Sequence, residues 1–130
     1  MSYSSVTVIL ENSRGEILLQ LRDDKPTIPY PNQWVLPGGK MEAADASPLA
    51  ALERELQEEF ELRLQSPPRY WKPFPHPDRT EHLFTARQDL DLAQTPVHEG
   101  QRIAFFPPAE ILKLNLGFQD NETVRNYLAR

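Results

Sequence analysis

Short apolar runs alternate with polar breaks along this chain, and the most regular pattern sits in its middle. Residues 5–10, SVTVIL, are β-branched and apolar, which predicts a buried strand. Asn12-Ser13-Arg14-Gly15 is a turn signal, and residues 16–21, EILLQL, follow as a second strand, so the two predict a hairpin. Residues 23–33 form a proline-rich loop, and 34–36 a short strand that ends in Pro37-Gly38-Gly39-Lys40. The clearest helix is predicted over 47–60. Ser47 suits its N-cap and Pro48 its first helical position. Leu49, Leu52, Leu56 and Phe60 recur at helical spacing and draw a single apolar stripe. Glu55, Glu58 and Glu59 span about 100° of the same wheel and are expected to turn away from that stripe. Strand-like segments follow near 69–74 and 80–87, then a polar loop over 88–100 and a strand over 101–106. Pro107-Pro108 opens a short helix near 109–114, and residues 120–129 form the last helix. Strands outnumber helices and the longest helix is central, so the fold class is α+β or a mixed α/β sandwich.

Composition narrows the functional classes. The 130 residues carry no internal repeat and no linker, which predicts one domain over 1–130. The absence of Cys excludes a disulfide framework and a thiolate metal site, and suits the cytoplasm, the expected location. The first ten residues lack the pattern of a signal peptide, and no apolar run approaches the roughly 18 residues of a membrane span. No membrane association is expected. A net charge of −5 argues against a sequence-independent grip on a nucleic-acid polymer. A phosphate-bearing ligand would need a cation between it and this protein.

The acids of the central helix offer a place for one. Glu55, Glu58 and Glu59 lie at i, i+3 and i+4, where like charges repel. Either water solvates them or a cation sits between them. Three such carboxylates make a hard-oxygen site suited to Mg²⁺ or Mn²⁺, ions that complete their shells with water and substrate phosphates. The Gly38-Gly39 turn upstream lets backbone come close to that site.

The span 38–62 reads GGKMEAADASPLAALERELQEEFEL. It closely resembles the Nudix box, G-x5-E-x7-R-E-U-x-E-E-x-G-U, where U is a bulky aliphatic. Gly39 takes the first glycine, Arg54-Glu55-Leu56 the R-E-U, Glu58-Glu59 the paired acids and Leu62 the closing aliphatic. The W-V-L-P-G-G-K lead-in is similar to the family's as well. Three positions depart from the pattern. The first acid is Asp45, eight residues separate it from Arg54 instead of seven, and Glu61 stands where the box has glycine. The extra residue is expected in the loop 43–47. Glu61 is expected either to adopt a left-handed turn or to let the helix run on.

The resemblance implies a Nudix-type α/β/α sandwich with a mixed β-sheet. It also implies Mg²⁺- or Mn²⁺-dependent hydrolysis of a diphosphate bridge in a small-molecule nucleotide. Metal ligands would be Glu55, Glu58, Glu59 and the Gly39 carbonyl, with Arg54 holding the helix carboxylates. The general base would be Glu55 or Glu99. His98-Glu99-Gly100-Gln101 resembles the loop of MutT-type members that supplies a fourth acidic ligand or base, although Glu99 by itself reads as a surface residue, and His98 as a bystander. Arg79 could approach a base or phosphate or occupy an ordinary turn. Asn121 could pair with a purine edge or cap the last helix. Trp34 could stack on a nucleobase or belong to the core. Arg22, Lys25 and Lys40 are candidate phosphate contacts or solvated charges. The favoured reaction is attack of an activated water on a nucleoside triphosphate, giving the monophosphate and pyrophosphate. A nucleotide-sugar or ADP-ribose pyrophosphatase, and a non-catalytic nucleotide-binding or regulatory domain, are the alternatives. The protein is expected as a monomer or homodimer.

Overall fold

The computed structural model describes residues 2–130. Strand β1 (Tyr3–Glu11) is the spine of a mixed sheet. It pairs in parallel with β6 (Arg79–Arg87), from Tyr3 opposite Arg79 to Glu11 opposite Arg87. Successive side chains of β1 point to opposite faces, and both faces are covered. Val6 and Val8 face one layer and Ile9 the other, which is why the run reads as continuously apolar.

The expected hairpin forms, with β2 spanning Ile17–Leu21. Asn12 Oδ1 accepts from the backbone N–H groups of Arg14 at 3.0 Å and Glu16 at 2.9 Å, and Gly15 takes a left-handed φ of 76°. Its ladder is confined to Glu11 opposite Ile17; beyond that pair the strands diverge. The chain from Trp34 fills the gap. β3 (Trp34–Val35) pairs with β2, and β4 (Gly38–Lys40) pairs with β1 at Ser5–Thr7. The Gly-Gly segment expected as a turn is therefore a strand. Gly38 is needed because a Cβ there would lie 2.0 Å from the Val6 carbonyl oxygen. Strand β7 (Arg102–Phe106) covers the other side of β2, and β5 (Arg69–Pro75) lies at the outer edge against β6. Pro73 and Pro75 suit an edge strand, where a missing donor is tolerated.

Helix α1 (Pro48–Phe60) packs on one face of the sheet. Ala51, Leu52, Leu56 and Phe60 are buried there against Val6, Val8 and Phe84. Its start follows the sequence: Ser47 Oγ accepts from Ala50 N–H at 3.1 Å, above Pro48. On the opposite face α2 (Pro108–Ile111) and α3 (Asp120–Ala129) contribute Ile111, Val124 and Tyr127 to a core with Ile9, Ile17 and Leu19. The architecture is the helix–sheet–helix sandwich expected from the resemblance. The short helix stops at Ile111, well before 114, while the last helix occupies the expected residues. Among the described residues no helix is long and apolar enough to cross a membrane.

The end of α1 settles one open alternative. The helix stops at Phe60, and Glu61 adopts φ 49° and ψ 38°. Glu61 N–H donates to Gln57 O at 3.0 Å and Leu62 N–H to Leu56 O at 3.1 Å, which closes the last turn as a left-handed cap does. A residue with a Cβ thus occupies a glycine-type position, at a cost of about 1 kcal/mol.

Candidate metal and catalytic site

Strand β4 lays Gly39 directly against α1. A Cβ at residue 39 would lie 2.6 Å from Glu55 Cδ, so the carboxyl and the backbone meet with no room for a side chain. Next to it Arg54 spreads its guanidinium over several acceptors. Nε and NH2 donate to the two oxygens of Asp45, each at 2.9 Å. NH1 donates to Glu55 Oε1 at 3.0 Å and to Glu58 Oε2 at 3.2 Å, and NH2 also reaches the Lys40 carbonyl at 3.2 Å. Asp45 thus fills the first acidic position of the box as the bidentate partner of Arg54, despite its shorter side chain and the extra residue before the helix. Asp45 Oδ2 also accepts from Glu42 N–H at 2.7 Å. The Arg54 hydrogen bonds, followed by that backbone donor, hold the Asp45 carboxyl down at about 2.

The three helix acids are not equivalent. The Glu58 side chain is 59% exposed and that of Glu55 13%, while Glu59 is only 6% exposed. The expectation that all three turn away from the apolar stripe fails at Glu59. It lies seven residues after Leu52, two turns along the same side of the helix, and so follows the stripe inward. Burial raises the Glu59 carboxyl to about 9, helped by a hydrogen bond to the Glu99 carboxyl and by the neighbouring negative charges. Its Oε2 has no hydrogen-bond partner. Burial also raises Glu55, with Arg54 pulling the other way.

Glu99 arrives from the loop before β7. Gln20 Nε2 donates to its carbonyl at 2.5 Å, and His98 N–H donates to the Glu59 carbonyl at 2.8 Å. Gly100 follows with φ 90°, where a Cβ would lie 2.8 Å from Gln20 Nε2 and from the Leu21 carbonyl. The fold therefore brings Gly39, Arg54, Glu55, Glu58, Glu59 and Glu99 together. Arg54 holds Glu55 and Glu58, and Glu59 lies beside Glu99. Among the described residues no three His, Asp or Glu side chains are drawn tightly enough onto one point to hold an ion as they stand. The donor set nonetheless fits a hard divalent cation: clustered carboxylates, one buried oxygen lacking any donor, and a glycine backbone pressed against the cluster.

A family model described as the NUDIX domain matches residues 1–127. The chain belongs to the Nudix family. Nudix hydrolases in general act on phosphoric anhydrides with divalent metal ions, although some Nudix domains are non-catalytic. Solved structures agree on the fold. A MutT protein from Methanosarcina mazei superposes with a TM-score of 0.74 at 20% identity, over 97% of this chain and 92% of that one. The Nudix domain of Shewanella oneidensis NrtR, complexed with ADP ribose, gives 0.77 at 19% identity, over 98% and 89%. The ORF135 protein of E. coli gives 0.71 at 27% identity, over 98% and 89%.

The residues expected to meet substrate are placed less uniformly around this Nudix site. Lys40 is exposed at the end of β4, its Nζ 4.4 Å from the Tyr3 ring centre. Arg22 donates to Pro29 O at 2.8 Å and lies over the Phe118 ring. Lys25 is exposed and pairs with Asp23 at 3.8 Å. Trp34 is half-buried, edge-on to Phe106 and beneath Arg102, and packs on the second core. Arg79 is buried. Its nitrogens donate to Asp78 Oδ1 at 3.0 Å, the Phe118 carbonyl at 2.8 Å and Gln119 Oε1 at 3.2 Å. It fixes the kink at 118–119, where both residues have positive φ, so the expected free guanidinium is not presented. Asn121 is neither free nor an N-cap. Its Oδ1 accepts from Leu116 N–H and its Nδ2 donates to Leu114 O, each at 2.8 Å.

Sequence reasoning missed a second buried polar group. Asp120 Oδ2 accepts from Leu36 N–H at 2.9 Å, its Oδ1 has no partner, and burial raises its carboxyl well above the usual range. Glu81, buried on β6, accepts from Thr7 Oγ1 and sits 3.0 Å from His76 Nε2. The one available signal was Glu81 itself, an acid in strand register with buried Arg79 and Leu83.

Proposed function

We propose that this protein is a metal-dependent pyrophosphohydrolase that converts a nucleoside triphosphate to the monophosphate and pyrophosphate. The observation that carries the reading is the meeting of Glu99, from a distant loop, with Glu59 and Glu55 on the box helix. Glu55, Glu58, Glu59, Glu99 and the Gly39 carbonyl are the candidate ligands. A bound Mg²⁺ or Mn²⁺ would supply Lewis acidity opposite the diphosphate.

The chain's own groups do the rest. Arg54, locked by Asp45, holds Glu55 and Glu58 in register and is a positioning residue. Glu55 and Glu99 are the two candidates to take the proton of the attacking water, since both stand at the cluster and carry oxygens able to accept it. Lys40 and Arg22 offer charge to the phosphates, and Trp34 offers an aromatic surface to the base. Arg79 and Asn121 shape the substrate side indirectly, through the 118–119 and 114–116 backbone that they hold.

A second reading, hydrolysis of ADP-ribose or a nucleotide sugar, is favoured by the similarity to the NrtR Nudix domain, which is complexed with ADP ribose. A substrate panel with Mg²⁺ and ³¹P NMR of the products separates the two. Pyrophosphate with a nucleoside monophosphate supports the first reading, and a sugar phosphate with a nucleoside monophosphate supports the second. No turnover of any anhydride would point to a binding domain. Glu55→Gln should lower kcat by 10²-fold or more, as loss of a general base does; unchanged activity would remove Glu55 from the chemistry.

A further inference from the structure

Glu61 stands where the Nudix box has glycine, in a left-handed conformation that favours glycine. Its carboxylate is engaged. His98 Nε2 donates to Glu61 Oε2 at 2.5 Å, across to the loop that carries Glu99. A second bond runs parallel to it, from His98 N–H to the Glu59 carbonyl at 2.8 Å. The loop is thus bound to the last turn of α1 by both the backbone and the side chain of His98. On the other side of Glu99, Gln20 binds its carbonyl and Gln101 N–H donates to Leu21 O at 2.8 Å. Val97 packs on the core beneath α1. Glu99 therefore hangs between two fixed points, one on α1 and one on β2.

We propose that Glu61 is a positioning residue that acts through His98 to set the Glu99 carboxylate against the box helix. An exposed side-chain contact of this kind contributes little to stability by itself. Here it closes a short loop onto a helix end, and the quantity it controls is where one side chain points. Without the Glu61 bond, the side-chain half of the clamp opens and His98 is held only by its amide. The inference rests on Glu99 being part of the catalytic cluster.

Glu61→Gly separates positioning from fold support, because glycine is the residue this backbone prefers. The expected result is an unchanged or higher Tm, faster hydrogen exchange at the His98 amide in the metal-free protein, weaker Mn²⁺ binding by calorimetry, and kcat reduced about tenfold or more with little change in KM. Glu61→Gln, which keeps an oxygen acceptor, should restore most of kcat. His98→Ala should match Glu61→Gly, and the double variant should be no worse than either single one. Wild-type exchange and Mn²⁺ affinity in Glu61→Gly would overturn the inference, as would losses of Tm and kcat together that Gln does not repair. Glu99→Gln distinguishes the underlying reading. If it retains full activity, Glu99 is not in the cluster; if it loses activity while Glu61→Gly does not, only the clamp is refuted.

Discussion

At the scale of single residues, the site is a balance of buried charge. Glu59 is the extreme case, with its carboxyl raised from 4.5 to about 9 by burial and by Glu99. Between those two values the folded metal-free protein keeps a proton that the unfolded chain releases. This contribution is therefore complete below about pH 4.5 and is lost as pH rises through about 9. Glu59→Gln, which mimics the protonated form, should flatten that decline. Thermal unfolding of both proteins without metal, from about pH 5 to about pH 9, should show Tm of the variant overtaking the wild type, with activity abolished. Asp45 works in the opposite sense. Arg54 holds its carboxyl down at about 2, so its contribution is present above about pH 4 and disappears as pH falls towards 2. Asp45→Asn should release one edge of the Arg54 fork and lower kcat by about 10- to 100-fold, the range seen when an outer partner of a metal site is removed. Steady-state kinetics at saturating Mg²⁺ would check it.

At the scale of elements, β4 and α1 depend on each other. Gly39 is the contact, since a methyl at that position would sit 2.6 Å from the Glu55 carboxyl carbon. Gly39→Ala must shift either the strand or the acid. Overpacking of this kind costs about 1–3 kcal/mol, and a displacement near 1 Å at the chemistry lowers rate by about 10²-fold. Chemical denaturation and kcat measured on the same preparation would test both. A substitution on the apolar stripe should divide differently. Leu56→Ala removes a buried side chain between α1 and the sheet and should cost about 2–5 kcal/mol of stability. The helix, its cap and its stripe were legible because they rest on local spacing. Its end at Phe60 matches the reading as well, whereas the choice between a left-handed Glu61 and a longer helix stayed open, because Glu61 is held in part by a partner on another segment.

At the scale of the whole molecule, ion binding and protonation are linked. A cation at the cluster must compete with Arg54 for Glu58 and with a proton for Glu59. Mn²⁺ affinity should therefore rise with pH up to about 9, with close to one proton released per ion at about pH 7. Calorimetry in two buffers of different ionisation enthalpy would measure it; equal observed heats in the two buffers would mean that no proton is released, and would show that Glu59 is not a ligand. What the sequence alone determined follows from short-range rules. Short apolar runs bounded by turn signals placed the main strands, helical spacing placed α1, and the R-E-x-x-E-E core with its upstream glycines pointed to the site. Burial and partnership depend on what the rest of the chain lays over each side chain, and only the tertiary structure decided them. It turned Gly38–Lys40 into a strand beneath α1, drove Glu59 inward, brought the Glu99 loop onto the helix, and tied Arg79 and Asn121 into the backbone. A carboxylate's charge state and a guanidinium's availability are set by neighbours far away in sequence, and residue spacing carries no record of them.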